Sequence, residues 1–130
     1  MPHSVQIVLV LSAPNTKKSG DTLFLFMRQN NVLWLPTKDL PHDQSLLDCA
    51  GSLLYEASGL ESRWVQLTQC PVSKVGIQII IPFGCLISES VKAMEGTIWL
   101  TLTELAERQP ERLEFLTTVC SYLVGYGVSL

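Results

Sequence analysis

The sequence lacks any long hydrophobic run, since no apolar stretch approaches the roughly 18 to 20 residues that a membrane-spanning helix requires. It is poor in charge, with 16% of its residues charged, and its two histidines, His3 and His42, lie far apart. It has no C-x-x-C pair, because its four cysteines stand alone: Cys49, Cys70, Cys85 and Cys120. These absences argue against a metal-ligand pair or a disulfide framework, and they favour buried free thiols in a reducing compartment.

Positive charge is scarce as well. The nine lysines and arginines are scattered from Lys17 to Arg112, and the net charge is −3. Without a basic stripe, nucleic-acid binding is not expected. The apolar stretch from Val5 to Ala13 begins too early and is too short for a secretory signal. We therefore expect a cytoplasmic protein that binds neither nucleic acid nor a membrane.

Hydrophobic residues make up 47% of the 130-residue chain, which is enough to build one real core, and no linker or repeat divides it. We therefore predict a single domain over residues 1–130. The apolar, β-branched stretch from Val5 to Leu11 predicts a strand covered on both faces. After a polar loop, the segment 22–36 predicts two short strands separated by a turn at 29–31. The segment 64–88 predicts two or three more strands, with Ile77 to Ile81 in the central sheet.

One helix is predicted between these groups of strands. Its apolar residues recur at spacings of three and four: Leu46, Leu47, Cys49, Ala50, Leu53, Leu54 and Ala57. Asp43 or Ser45 can cap its start, and Gly59 can end it. Residues 96–126 predict a short strand, a turn beginning at Thr101 or Thr103, and a final helix whose apolar stripe includes Leu113 and Leu116. The order strands, helix, strands, helix predicts an α+β sandwich with helices packed on a mixed sheet.

From Trp34 to Leu60 the sequence resembles the box of the Nudix hydrolase superfamily, roughly W-x-L-P-G-G-x4-G-E, seven residues, then R-E-U-x-E-E-x-G-U, where U is a bulky aliphatic residue. Trp34 to Pro36 fit the opening, Glu56 fits the first glutamate of the E-E pair, and Gly59-Leu60 fit the end. The opening strand, the first hairpin and the late "GTIWLTLTELAE" segment also look like the family's. The resemblance implies a Nudix-type α/β/α sandwich with a mixed central sheet.

The box is degenerate, because most of its special residues are replaced. Thr37-Lys38 stand in place of the two glycines and Asp43-Gln44 in place of Gly-Glu. Ser52 replaces the arginine, and Leu53 and Ala57 replace two glutamates. The part of the motif that builds the fold is kept, and the part that holds metal is largely gone.

Members of the family resembled here hydrolyse nucleoside diphosphate derivatives with Mg²⁺ or Mn²⁺ held by the box glutamates. Helical positions i, i+3 and i+4 lie on one face, and here they carry Leu53, Glu56 and Ala57. One carboxylate beside two hydrocarbon side chains is a poor site for a hard divalent cation. Glu56 is the candidate catalytic and metal-binding residue, against the alternative of an ordinary exposed helical glutamate. The resemblance implies Mg²⁺ or Mn²⁺ if the chain is active, and otherwise no cofactor.

Candidate ligand-binding residues are Arg28, Lys38, Gln44 and Glu104. Lys38 could attract a ligand phosphate or be a plain surface lysine. Gln44 offers an amide oxygen, which carries no charge and binds a divalent cation more weakly than a carboxylate does. We expect Leu53 to line an open cleft, since the family resembled here keeps this position outside its core, although core packing is the alternative.

Three functions stay open at this point. The favoured ones are a catalytically impaired module that binds a nucleotide-derived small molecule or a protein, and a subunit whose apolar helix face is covered by another chain or copy. The apolar tail at 121–130 hints at the latter contact. The alternative is an active metal-dependent hydrolase of nucleoside diphosphate derivatives that combines Glu56 with acids from elsewhere, namely Glu89, Glu95 or Glu104.

Overall fold

The computed structural model describes residues 4–15, 21–29, 32–70, 72–75 and 77–109. Within them lie eight strands, two α-helices and one 3-10 turn. The first part of the chain forms β1 (Ser4–Pro14), β2 (Thr22–Gln29), β3 (Val32–Trp34), β4 (Thr37–Asp39) and α1 (Leu46–Ser58). After the 3-10 turn (Ser62–Trp64) come β5 (Thr68–Gln69), β6 (Ser73–Val75), β7 (Gln78–Leu86), β8 (Thr97–Leu100) and α2 (Leu102–Arg108).

Strand β1 lies at the centre of a mixed sheet. It runs parallel to β7 over a nine-residue register from Ser4↔Gln78 to Ser12↔Leu86. On its other side it pairs antiparallel with β4 near its start and with β2 near its end. Strands β3 and β8 extend the sheet from β2, while β5 and β6 pair with β7. The predicted central strands are thus confirmed, except that Ile77 lies in a turn just before β7.

The two faces of the sheet form two separate hydrophobic clusters, because alternate residues of a strand point to opposite faces. Ile7, Leu9 and Leu11 of β1 pack in one cluster with the buried residues of α1. Val8 and Val10 pack in the other with β2 residues and with Leu105 of α2. A helix therefore covers each face, and the predicted α+β sandwich with a mixed sheet is confirmed.

Helix α1 has clear signals at both ends. Ser45 is its N-cap, and the Ser45 hydroxyl accepts a hydrogen bond from the Asp48 backbone N–H. Gly59 ends the helix in the left-handed conformation at φ 77°, and its N–H donates to the Tyr55 carbonyl. The predicted helix and its glycine stop are confirmed, and of the two candidate caps Ser45 is the one used.

The structure differs from the sequence analysis at two places. No strand was predicted at 37–39, but Thr37–Asp39 forms strand β4, because β1 offers it backbone partners that polar residues can use. A turn was expected at Thr101 or Thr103, yet Thr101 caps helix α2 in a reciprocal box with Glu104. The predicted final helix with Leu113 and Leu116 lies outside the described residues, as does the tail at 121–130. No helix in the described part of the chain is long and apolar enough to cross a bilayer.

Candidate functional site

An open groove of about 740 Å³ runs along the outer face of α1. Its wall on the helix side carries Asp48, Gly51, Ser52, Tyr55 and Glu56. These positions follow the i, i+3, i+4, i+7, i+8 spacing of one helical stripe. Its other wall is the 3-10 turn region, with Glu61, Ser62 and Arg63, and Gln44 lies at the N-terminal end.

Lys38 reaches this helix from strand β4. The register of β4 on β1 places Lys38 opposite Ile7, whose side chain packs in the same cluster as α1. Two flanking backbone bonds hold the segment, from the Leu9 N–H to the Pro36 carbonyl at 2.9 Å and from the Leu40 N–H to the Val5 carbonyl at 3.0 Å. Strand pairing therefore fixes the backbone from which the lysine extends.

Lys38 and Glu56 form an ion pair, with the ammonium Nζ donating to the Glu56 Oε1 at 2.7 Å. The two side chains are 28% and 58% exposed, so the pair lies at the surface. The hydrogen bond to Glu56 raises the pKa of Lys38 above its usual value, and the lysine is charged at neutral pH. The carboxylate expected to hold a metal is thus already bound to a cation from the same chain.

Leu53 and Ala57 turn away from the groove into the core. Their exposed fractions are 2% and 1%, and both pack with Leu9 and Leu11 of β1. The expectation that Leu53 lines an open cleft is therefore wrong. The reason is geometric: the buried stripe of α1 needs apolar groups at 50, 53, 54 and 57 to cover the sheet.

Comparison with known proteins gives structural matches alone. No protein-family model matches the chain, and no curated protein matches its sequence. A mutT/nudix family protein from Listeria innocua superposes with a TM-score of 0.76 at 14% identity, covering 98% of this chain and 96% of that one. An Ap4A hydrolase from C. elegans gives 0.70 at 9% identity, covering 97% and 98%. The NUDIX domain of Shewanella oneidensis NrtR, complexed with ADP ribose, gives 0.69 at 13% identity, covering 95% and 90%.

The chain has the Nudix fold. The superpositions cover nearly the whole chain and agree with the mixed sheet and the helix on each face. They confirm the resemblance first suggested by the segment from Trp34 to Leu60. At these identities the similarity shows the fold alone, so the chemistry of the site has to be judged from this chain's own residues.

The box of this Nudix fold does not fit a divalent metal ion. Of the three positions that lie on one helical face, Leu53 and Ala57 are buried hydrocarbon and Glu56 is paired with Lys38. Mg²⁺ and Mn²⁺ require several oxygen ligands, usually with more than one carboxylate. Within the described ranges, no three acidic, histidine or cysteine side chains cluster as ligands could. No step of a metal-assisted reaction can be derived from this arrangement.

Gln44 is the second predicted site residue that the structure brings to the groove. Its amide Nε2 lies 3.5 Å from the Ser52 hydroxyl, which it contacts as a donor. Its Oε1 is buried without a hydrogen-bond partner within the described part of the chain. Gln44, Ser52 and Glu56 therefore share one groove, and the polar atoms of the first two are close to each other.

The other predicted site residues lie elsewhere. Arg28 is exposed near the end of β2, where its backbone N–H donates to the Gly96 carbonyl. The Glu104 carboxylate accepts the Thr101 N–H in the cap of α2, which gives it a structural role. Glu89 lines a different cavity of about 470 Å³, beside Trp64 and Leu86, and Glu95 is exposed in a turn before β8. No described contact joins any of these four residues to Glu56.

Three charged residues of the groove were missed by the sequence analysis: Asp48, Glu61 and Arg63. Asp48 could have been found, because it lies one helical turn before Ser52 on the same face. Glu61 and Arg63 could not, since their position depends on the turn after Gly59. They form their own ion pair at 2.7 Å, and the Arg63 guanidinium lies 5.2 Å from the centre of the Trp64 ring.

The cysteines of the described residues agree with the prediction of buried free thiols. Cys49, Cys70 and Cys85 are buried and unbridged, while Cys120 lies outside the described residues. Burial raises the pKa of all three thiols, and that of Cys85 to about 11. A thiol with a raised pKa is a weak nucleophile at neutral pH, so these side chains act as small apolar groups.

Proposed function

We propose that this chain is a Nudix-fold binding module that does not carry out metal-dependent hydrolysis at the α1 groove. The observation that carries the proposal is the 2.7 Å ion pair between Lys38 and Glu56, beside the buried Leu53 and Ala57. A carboxylate that is already neutralised, with hydrocarbon at the two neighbouring box positions, offers little to a hard cation. The groove itself is open to solvent and carries charged, polar and aromatic side chains that a ligand could contact.

The occupant we propose is a nucleotide-derived small molecule or a protein partner, which includes a second copy of the chain. ADP ribose, which the NrtR domain binds, and the Ap4A named for the C. elegans enzyme are the natural small-molecule probes. The buried free thiols are compatible with a reducing compartment, and the cytoplasm is part of the same proposal.

Turnover is the decisive measurement. The purified chain and its Glu56→Gln variant should be incubated with ADP ribose, Ap4A and other nucleoside diphosphate derivatives, each with Mg²⁺ or Mn²⁺. Products are separated by chromatography. We expect neither protein to release more product than a protein-free blank. A robust rate that collapses in Glu56→Gln would overturn the proposal and identify Glu56 as a catalytic residue.

The same assay addresses the hydrolase with relocated acids. Hydrolysis that is lost in Glu56→Gln and also in Glu89→Gln, Glu95→Gln or Glu104→Gln would support that alternative, in which Glu56 acts together with a relocated acid. Calorimetric titration with ADP ribose in the presence of EDTA then separates the two kinds of binding module. Binding heat without product formation supports a module that binds small molecules. No binding heat favours a protein partner. Light scattering then tests whether that partner is a second copy of the chain.

A further inference from the structure

We propose that the Lys38 ammonium is the built-in counter-cation of Glu56 and keeps divalent metal out of the α1 groove. This inference rests on the proposed function in one respect, because both need a groove without a divalent ion. It goes further by giving Lys38 an active part in that property, in addition to the absence of acids at positions 53 and 57. It also explains a lysine at a position where the family resembled has glycine, since a glycine has no side chain to reach the helix.

The first step of the argument is position. Lys38 and Glu56 are 18 residues apart and belong to different elements, β4 and α1. Lys38 extends from a strand held by backbone bonds on both sides, so the backbone from which its side chain reaches the helix is fixed before any ligand arrives. Pre-organisation of this kind lowers the entropic cost of forming a surface ion pair.

The second step is charge. A metal at Glu56 would have to share the carboxylate with the ammonium nitrogen 2.7 Å away, and two cations at such distances repel each other strongly. A divalent ion could displace the lysine only if further carboxylates compensated. Ser52, one helical turn before Glu56, is uncharged, and so is Gln44, which contacts Ser52. The other acids of the groove are Asp48, two helical turns before Glu56, and Glu61, which is already paired with Arg63.

The third step is contrast with the other ion pair of the groove. Arg63 and Glu61 are two residues apart in one turn, and their side chains are 72% and 39% exposed. Arg63 carries the same charge as Lys38 and lines the α1 groove. Its guanidinium forms an ion pair with Glu61, whereas Glu56 is paired with Lys38. It is therefore a matched control, because its removal changes the net charge equally without freeing Glu56.

The experiment places acids in the groove and asks whether Lys38 opposes the metal. The background is Gln44→Glu with Ser52→Glu, which adds two carboxylates near Glu56. Mn²⁺ affinity is measured by electron paramagnetic resonance in this background alone, with Lys38→Ala added, and with Arg63→Ala added. The unmodified chain should show no Glu56-dependent Mn²⁺ binding. Adding Lys38→Ala should raise the affinity by about tenfold or more, because it removes the adjacent positive charge.

The Arg63→Ala control should change the affinity by less than about threefold, since the Arg63 guanidinium is paired with Glu61 and is largely exposed to solvent, which screens its charge. Equal effects of the two substitutions, or no binding in any variant, would overturn the inference. So would Mn²⁺ binding by the unmodified chain that is lost in Glu56→Gln. Circular dichroism checks folding, and Gln44→Glu alone serves as the background if Ser52→Glu unfolds the protein. The metal affinity is read without substrate, so failure here is distinct from unexpected hydrolysis, which concerns the proposed function.

Discussion

At the scale of single residues, α1 assigns opposite environments to two leucines. Leu53 is 2% exposed and packs on β1, whereas Leu47 is 57% exposed. We expect Leu53→Glu to lower the free energy of unfolding by several kcal/mol, because an unpaired carboxylate would be buried. Leu47→Glu, the matched control, should change it by less than about 0.5 kcal/mol. Urea denaturation measures both, and similar losses at the two positions would contradict the burial of Leu53.

The same residue shows why the site was predicted less well than the fold. The apolar arc of α1 was evident from sequence, but it is wide enough that its spacing does not tell which side meets the sheet. The box pattern suggested that position 53 faces a cleft, and the packing of β1 decides otherwise. The contact of Lys38 with Glu56 depends on the register of β4, which local sequence does not encode.

At the scale of elements, a single glycine sets how closely the 3-10 turn approaches α1. A Cβ at Gly51 would lie 3.1 Å from the Ser62 hydroxyl and 3.2 Å from the Ser62 Cβ. In an open helix, replacing glycine with alanine stabilises by about 1 kcal/mol. We expect Gly51→Ala to give little or none of this, because Ser62 has to move. Combining it with Ser62→Gly should recover about 0.5 to 1 kcal/mol in a double-mutant cycle of unfolding free energies.

If Gly51→Ala alone raises the free energy of unfolding by the full amount of about 1 kcal/mol expected of an open helix, the close approach of the 3-10 turn does not constrain α1.

Some secondary-structure elements were predicted less well than others. Strand β4 was missed since Thr37–Asp39 is polar and shows no apolar alternation, while its pairing comes from β1. Helix α2 could have been found, because Thr101 and Glu104 have the spacing of a capping box. Long apolar segments such as β1 and β7 were predicted correctly because a continuous run of apolar residues indicates a strand that is buried on both faces.

At the scale of the whole molecule, β1 joins distant parts of the chain into one sheet and so should open last. It pairs with β7 along its length on one side and with β4 and β2 on the other. Amides that exchange only by global unfolding are the most protected, while exposed irregular segments exchange by local opening. Residues 88–96 are largely exposed and form no strand or helix. Hydrogen exchange followed by mass spectrometry should thus show β1 and β7 exchanging at least about a hundredfold more slowly than 88–96.

Strand β4 tests whether this stability extends to the site. Its pairing with β1 places Lys38 beside α1, so its amides should exchange more slowly than those of 88–96 although it is short and polar. Lys38→Met should leave that protection nearly unchanged, because a surface ion pair contributes at most about 1 kcal/mol and the backbone bonds remain. Protection of 37–40 that disappears in Lys38→Met would mean that the ion pair holds the strand. We expect the opposite order, in which the sheet positions Lys38 and Lys38 then neutralises Glu56.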